Sequence, residues 1–325
     1  VAAEKPARPL RRTATLDLKP TQPFAFDSTF HKPDHFPSQD NAWEPGVRWQ
    51  TMRFQGRLLG LRIEDAGPRV QVAVWADASL PRRFLAALAE ELEWRSNLRL
   101  DLADFERRAR RDRELATVVR RWRGMRPMHP GSLYEYLVIA IVLQNATVRR
   151  SVQMLQALFE GYGTLVRFDR RELYGYWDPA TLAGTTEQEL RALKVGYRAK
   201  SLLKVSAAIA AGEVDPTQLR EASVEAQRAG LLSLFGVGPA SVGLILVDVF
   251  HAFDELSHIS PWEQGIYSRL LLGLPVDDPA PVPVLLERIA RWSPWRTLAL
   301  HYLWEDLFWR HQEQPIDWLT PLIRL

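Results

Sequence analysis

The 325-residue chain contains no cysteine. That excludes disulfides, thiol nucleophiles, zinc–thiolate sites and cysteine-held iron–sulfur clusters, and it suits a reducing compartment. No stretch approaches 18 uninterrupted apolar residues, the length a membrane-spanning helix needs. Residues 1–18 lack the apolar core of a secretory signal. The seven histidines show no HExxH or comparable spacing, so no metal site is expected from motif. There is also no strong excess of either charge: 42 Lys and Arg stand against 39 Asp and Glu. Apolar residues make up 46% and charged residues 25%, an ordinary globular balance with room for two domains and a sizeable core.

What charge bias there is comes from arginine, which lifts the pI to about 9.2. Arg107, Arg108, Arg110, Arg111, Arg113, Arg120, Arg121, Arg123 and Arg126 crowd one short stretch. Guanidinium groups pair phosphates bidentately and give salt-sensitive nucleic-acid binding. A solvated helix face balanced by acids elsewhere is the alternative.

The chain reads in three parts. Residues 1–22 are rich in Pro, Lys and Arg and are expected to form a disordered basic tail. Residues 23–102 carry short alternating runs, VRWQTMRF, GRLLGLRIE and RVQVAVWA, separated by turn signals at Glu44-Pro45-Gly46, Gln55-Gly56 and Ala66-Gly67-Pro68. Period-two alternation predicts antiparallel strands, and Leu80–Glu93 follows as an amphipathic helix. From 103 to 325, apolar residues recur at helical spacing and Gly or Pro marks the breaks, which predicts an all-helical domain.

One break stands out. In LLSLFGVGPAS, Leu231–Ser241, two glycines flank Val237 between two helices. Gly236 and Gly238 allow a sharp turn and close approach. Pro239 suits a first helical turn, and the amides of Ala240 and Ser241 are then free to meet an anion. Three further motifs accompany this hairpin: LQNATVRR at 143–150, LKVGYRAK at 193–200, and ISPWEQGIYSR at 259–269 followed by RWSPWRTLALHYLW at 291–304.

In this order, the four motifs resemble the helix-hairpin-helix DNA glycosylases, over Arg111 to Trp304. The WxPWRxxAxxxLW ending is similar to the alkyladenine branch; GYRAK and the asparagine of the first motif are similar to the 8-oxoguanine branch. The resemblance implies an α+β fold, a small antiparallel sheet-plus-helix domain preceding a helical glycosylase domain. It implies an enzyme of base excision repair that flips a damaged nucleotide out of duplex DNA, because the glycosidic bond is inaccessible within the stack. By this likeness Asn145 fills the gap, Tyr197 stacks into the neighbouring step, and Arg150 and Arg198 read the orphaned base. A helix cap at Asn145 and simple packing at Tyr197 are the structural alternatives. The hairpin, Gly236, Val237, Gly238, Ala240 and Ser241, would grip a phosphate, with a monovalent cation on its carbonyls and no other cofactor. The implied setting is a monomer in a bacterial-type cytoplasm, on the nucleoid when bound to DNA.

Two departures from the family pattern shape the expected chemistry. Bifunctional members carry a lysine where this chain has Ala240, which leaves water as nucleophile and makes the enzyme monofunctional. The alkyladenine branch places a base-stacking tryptophan there and an aromatic where Leu244 stands, so an aromatic base pocket must come from Trp262, Trp292, Trp295 or the N-terminal domain. The family's catalytic aspartate has no counterpart either. One register puts Ser260 in its place and another puts Glu263 there. Ser260, Pro261 and Glu263 also form a capping box, and His258 is a more remote base. The alternative to a glycosylase is therefore a non-catalytic damaged-DNA-binding protein on the same fold.

Overall fold

A computed structural model of the chain describes residues 6–33, 36–256 and 258–323. The N-terminal part contains β1 (Arg8–Pro9), β2 (Arg11–Leu18), α1 (Phe26–Phe30), β3 (Asn41–Glu44), β4 (Val47–Phe54), β5 (Arg57–Asp65), β6 (Val70–Ala76) and α2 (Arg82–Arg95). Strands β2-β6-β5-β4-β3 form one antiparallel sheet. The alternation that predicted strands also assigns the two faces. Val70, Val72 and Val74 join Phe84, Leu88 and Leu92 of α2 in one core, whereas Trp49, Ala73 and Trp75 face a second core with Val166, Phe168 and Leu173.

The expected disordered tail is a strand. Residues 6–22 are ordered, and β2 pairs with β6 from Arg11 opposite Ala76 to Leu18 opposite Val70. Ala14, Leu16 and Leu18 fall on one face of β2 and cover the core beside α2. The strand lies at the sheet edge, where charged residues such as Arg11, Arg12 and Asp17 are tolerated and even protective. Residues 1–5 lie outside the described residues.

The remainder comprises α3 (Ala103–Ala109), α4 (Leu115–Arg121), α5 (Leu133–Leu143), α6 (Val148–Tyr162), β7 (Thr164–Phe168), β8 (Arg171–Gly175), α7 (Pro179–Ala183), α8 (Glu187–Ala192), α9 (Arg198–Ala210), α10 (Pro216–Glu221), α11 (Val224–Leu232), α12 (Pro239–Asp248), α13 (Pro261–Leu272), α14 (Val282–Ala290) and α15 (Arg296–Glu313). It is therefore not purely helical. Asp169 and Arg170 both adopt positive φ, 46° and 63°, the two-residue turn that joins tightly twisted strands. The β7–β8 hairpin presents Val166, Phe168 and Leu173 to the larger sheet. Contact is close there: a Cβ on Gly60 of β5 would lie 2.6 Å from Cδ1 of Phe168. On its other edge β7 pairs in parallel with β1.

The helices divide between two cores. Helix α5 is buried on nearly every side and organises a core with α6, α9, α11 and α12. A second core joins α3 and α4 to α13, α14 and α15. Among the described residues, no helix is long and apolar enough to cross a membrane.

Candidate nucleic-acid interface

The α11–α12 hairpin turns at Gly236, whose φ is +81°. A side chain there would be doubly disfavoured, by the left-handed backbone and by a Cβ 2.7 Å from the Cβ of Ser201 on α9. Gly238 is different. It is the N-cap of α12, its φ is −102°, and a Cβ would meet nothing within 4 Å. Its role is openness toward solvent, not an unusual backbone. Val237 is buried in the α5 core and anchors the turn. Ala240 is exposed and Ser241 buried in the first turn of α12, where amides have no preceding helical carbonyl and the helix dipole favours an anion. The hairpin carbonyls of Leu234, Gly236 and Gly238 already accept from Val237 N–H, Gln144 Nε2 and Val242 N–H. A monovalent cation would have to share their second lone pairs.

Three separated segments meet beside this turn. Gln144 closes α5, and Asn145 follows with φ +46°. Asn145 Nδ2 donates to the Tyr197 hydroxyl at 3.3 Å, and that hydroxyl donates to the Gln144 carbonyl at 3.3 Å. Both side chains are exposed; Tyr197 is 52% accessible. Asn145 is thus not a helix cap, since Thr147 caps α6 by accepting from Arg150 N–H. Arg198 is buried, donates to the Gln144 carbonyl, and holds its guanidinium 4.7 Å from the Tyr197 ring. Arg150 donates to the carbonyl of Lys194. Each guanidinium is therefore engaged by a loop carbonyl through one terminal nitrogen, and further N–H donors remain on both.

Sequence reasoning left Phe235 and the lysines of α9 without a place in this interface. Phe235 is 45% exposed immediately before Gly236. Lys200 and Lys204 lie 5.2 and 4.7 Å from its ring centroid. The i,i+4 lysine spacing on a helix beside the hairpin was the available signal.

The arginine-rich stretch, by contrast, is largely neutralised within the fold. Arg107 and Arg108 bind Asp104, Arg110 and Arg123 bind Glu106, and Arg121 binds Asp306. Arg126 is fully buried and donates to the carbonyls of Thr21, Pro23, Leu100 and Gly124, tying the N-terminal segment to the helices.

The three tryptophans expected to form a base pocket do other work. Trp292 is buried and donates to Asp112 at 2.9 Å; Trp295 donates to Asp104 at 2.8 Å. Both pack in the α3–α4–α15 core. Trp262 stacks on Trp304 with centroids 5.1 Å apart and donates to the Leu322 carbonyl. That indole is satisfied at its N–H and stacked on one face, and it stays 39% exposed. Ser260 and Glu263 form the full capping box: Ser260 N–H donates to Glu263 Oε2 at 2.8 Å, and Glu263 N–H donates to Ser260 Oγ at 3.3 Å. Glu263 is thereby engaged as a cap. His258 is exposed.

A polar cluster that no local motif announced lies where the sheet domain meets α5, α12 and α15. Lys32, just after α1, places Nζ 3.2 Å from Glu305 Oε1 and 3.3 Å from His301 Nε2. Glu305 is fully buried, while Lys32, Tyr136, Asp248 and His301 are half-buried. Burial pushes the Asp248 carboxyl up to about 7, Lys32 opposes that rise, and Glu305 adds to it. Burial, the charge of Asp248 and that of Glu135 raise the Tyr136 hydroxyl, against Arg48 and Arg95. His31 stacks on Trp43 at 3.9 Å, with the edge of Trp309 at 5.3 Å, forming an aromatic wall alongside. No group of residues able to hold a metal ion occurs among the described residues.

This architecture is the α+β fold of the helix-hairpin-helix DNA glycosylases. It superposes on a solved structure titled MBOgg1 in complex with low affinity DNA ligand, with a TM-score of 0.71, 18% identity, and coverage of 94% of this chain and 99% of that one. The 3-methyladenine DNA glycosylase of Archaeoglobus fulgidus matches with a TM-score of 0.70, 16% identity, and coverage of 94% and 100%. In sequence, the chain is 20% identical over 217 residues to a DNA-3-methyladenine glycosylase of Bacillus subtilis strain 168, spanning 66% of this chain and 70% of that protein. No family model matches the chain.

Proposed function

We propose that this protein is a DNA glycosylase of base excision repair that removes alkylated or oxidised purines from duplex DNA, using water as nucleophile. The carrying observation is the convergence of exposed Asn145 and Tyr197 with the Gly236–Ser241 hairpin, joined through Gln144 and flanked by Lys200 and Lys204. The hairpin amides of Ala240 and Ser241 suit a phosphate. Asn145 and Tyr197 suit the gap left by a flipped nucleotide, and the half-buried polar cluster at Lys32 and Asp248 suits the base itself. Names of the sequence and fold relatives support the same reading.

Hydrolysis would break the C1′–N bond while water supplies hydroxyl to C1′ and a proton to the leaving base. Ala240 offers no amine for an imine intermediate, which favours a product that stops at the abasic site. A second reading rests on the capping box. With serine at 260 and the Glu263 carboxylate held on the Ser260 amide, the same surface could bind and flip damage without efficient hydrolysis. The test is duplex binding combined with single-turnover excision. Preference for a duplex with an abasic analogue over intact duplex is expected. Equal affinity for both would overturn the reading, and alkali-labile sites on alkylated DNA would separate enzyme from binder.

A further inference from the structure

We infer that Lys32 and Asp248 are the residues that read the pairing edge of the flipped base, with Glu305 and His301 holding the Lys32 ammonium in place. This rests on the glycosylase reading above and deepens it. Of the tryptophans expected at the base pocket, Trp292 and Trp295 are taken up by packing and by hydrogen bonds to Asp112 and Asp104, and the Trp262 N–H is spent on the Leu322 carbonyl. A charged cluster stands at the domain junction.

Its position follows from α12. The N-terminus of that helix carries the hairpin amides, and Asp248 is its last residue. At about 1.5 Å per residue the two ends lie roughly 13 Å apart, so one rigid helix links a phosphate grip to this cluster. Lys32, whose charge acts on Asp248, comes from the sheet domain and is held by Glu305 at 3.2 Å and His301 at 3.3 Å. Glu305 is fully buried and cannot itself touch a ligand, whereas Lys32 and Asp248 each keep part of their surface open.

The pair offers donors beside an acceptor. Lysine has three N–H donors and no acceptor; an ionised aspartate accepts only, and a protonated one can also donate. Every purine pairing edge places a donor next to an acceptor. Guanine-derived and adenine-derived lesions invert that order at positions 1 and 6, so the pair discriminates between them by hydrogen bonding and not by stacking. The groups facing Asp248 are Lys32, Glu305 and Tyr136, with Arg48 beyond Tyr136 and His301 beyond Lys32. Because the Asp248 carboxyl is held near 7, its hydrogen-bonding character changes within the working pH range.

The test compares wild type, Lys32→Met and Asp248→Asn on two kinds of DNA. On duplex with an abasic analogue, which has no base to read, all three should bind with affinities within about twofold. On duplexes carrying 7-methylguanine or an adenine-derived lesion that keeps its 6-amino group, such as 3-methyladenine, the ratio of affinities, and of excision rates, should shift by at least tenfold in each variant. The wild-type ratio should also change between pH 6 and pH 8, and that change should vanish in Asp248→Asn. Unaltered ratios in variants that still prefer abasic duplex would overturn the inference while sparing the glycosylase reading. Loss of abasic preference in the wild type would overturn both.

Discussion

Gln144 donates from Nε2 to the carbonyl of Gly236 at 2.7 Å, so the residue before the exposed Asn145 is fastened to the turn of the hairpin. The Gln144 carbonyl in turn accepts from Arg198, and Ser201, on the next turn of the same helix, packs against Gly236. The three segments close a ring. Gln144→Met keeps the side-chain length and the backbone carbonyl but removes the donor. A neutral hydrogen bond contributes about 1 kcal/mol to stability, so the variant should unfold at slightly lower denaturant, and its preference for abasic over intact duplex should fall because Asn145 is no longer fastened to the hairpin. Fluorescence anisotropy on the two duplexes checks this.

The two hairpin glycines should respond differently. Gly236→Ala forces a left-handed backbone on a residue with Cβ, at roughly 1–2 kcal/mol, and drives that Cβ into Ser201. Gly238→Ala meets open space and should lose less than about 1 kcal/mol as an N-cap change. Chemical denaturation should rank them in that order. Similar losses at both positions would contradict the geometry.

Wild-type excision should be slow and should rise in Ser260→Asp. Aspartate remains a good N-cap, and its charge is favoured at the start of α13. Glu263→Gln preserves the capping box and should change stability by only a few tenths of a kcal/mol. Single-turnover rates on alkylated duplex decide the roles: abolition by Glu263→Gln would make Glu263 the catalytic carboxylate after all. Borohydride should trap no covalent adduct with any of these variants, given Ala240.

Acid should weaken the joint between α2 and α10. Burial by itself would raise the Glu91 carboxyl, but hydrogen bonds and charge from Arg220 and Arg95 bring it down to about 2. A depressed carboxyl stabilises the fold above its unfolded value near 4.5, and that stability is lost as pH falls toward 2. The linkage amounts to about 3 kcal/mol. Glu91→Gln should therefore destabilise at pH 7 and flatten the pH dependence of unfolding between about 4.5 and 2, as read by denaturant titration.

Much of this architecture was legible because its signals are local. Alternation in VRWQTMRF placed β4 at Val47–Phe54, and glycines marked the hairpin that α11 and α12 form. The edge strand β2 was hidden by Arg11 and Arg12 and by the prolines that flank it, Pro9 and Pro20, although Ala14, Leu16 and Leu18 alternate within it. Arginine pairing was illegible for a different reason. Arg121 meets Asp306 across 185 positions, and no local pattern reports such a partner. The Lys32 cluster was hidden for the same reason, since Lys32 and His301 come together from opposite ends of the chain.

The short strand β1 has a mechanical consequence. It runs alongside β7, while the next strand, β2, belongs to the larger sheet. One continuous stretch of backbone thus staples the two halves, and Arg126 rivets the same seam from inside with its bonds to Thr21, Pro23, Leu100 and Gly124. Movement of one half against the other would have to unzip a strand or strand a buried cation. On the function proposed above, the bending would then fall to the duplex, whose flexure costs of order 1–6 kcal/mol over a site of 20–30 base pairs, and damage that softens the duplex would lower that cost.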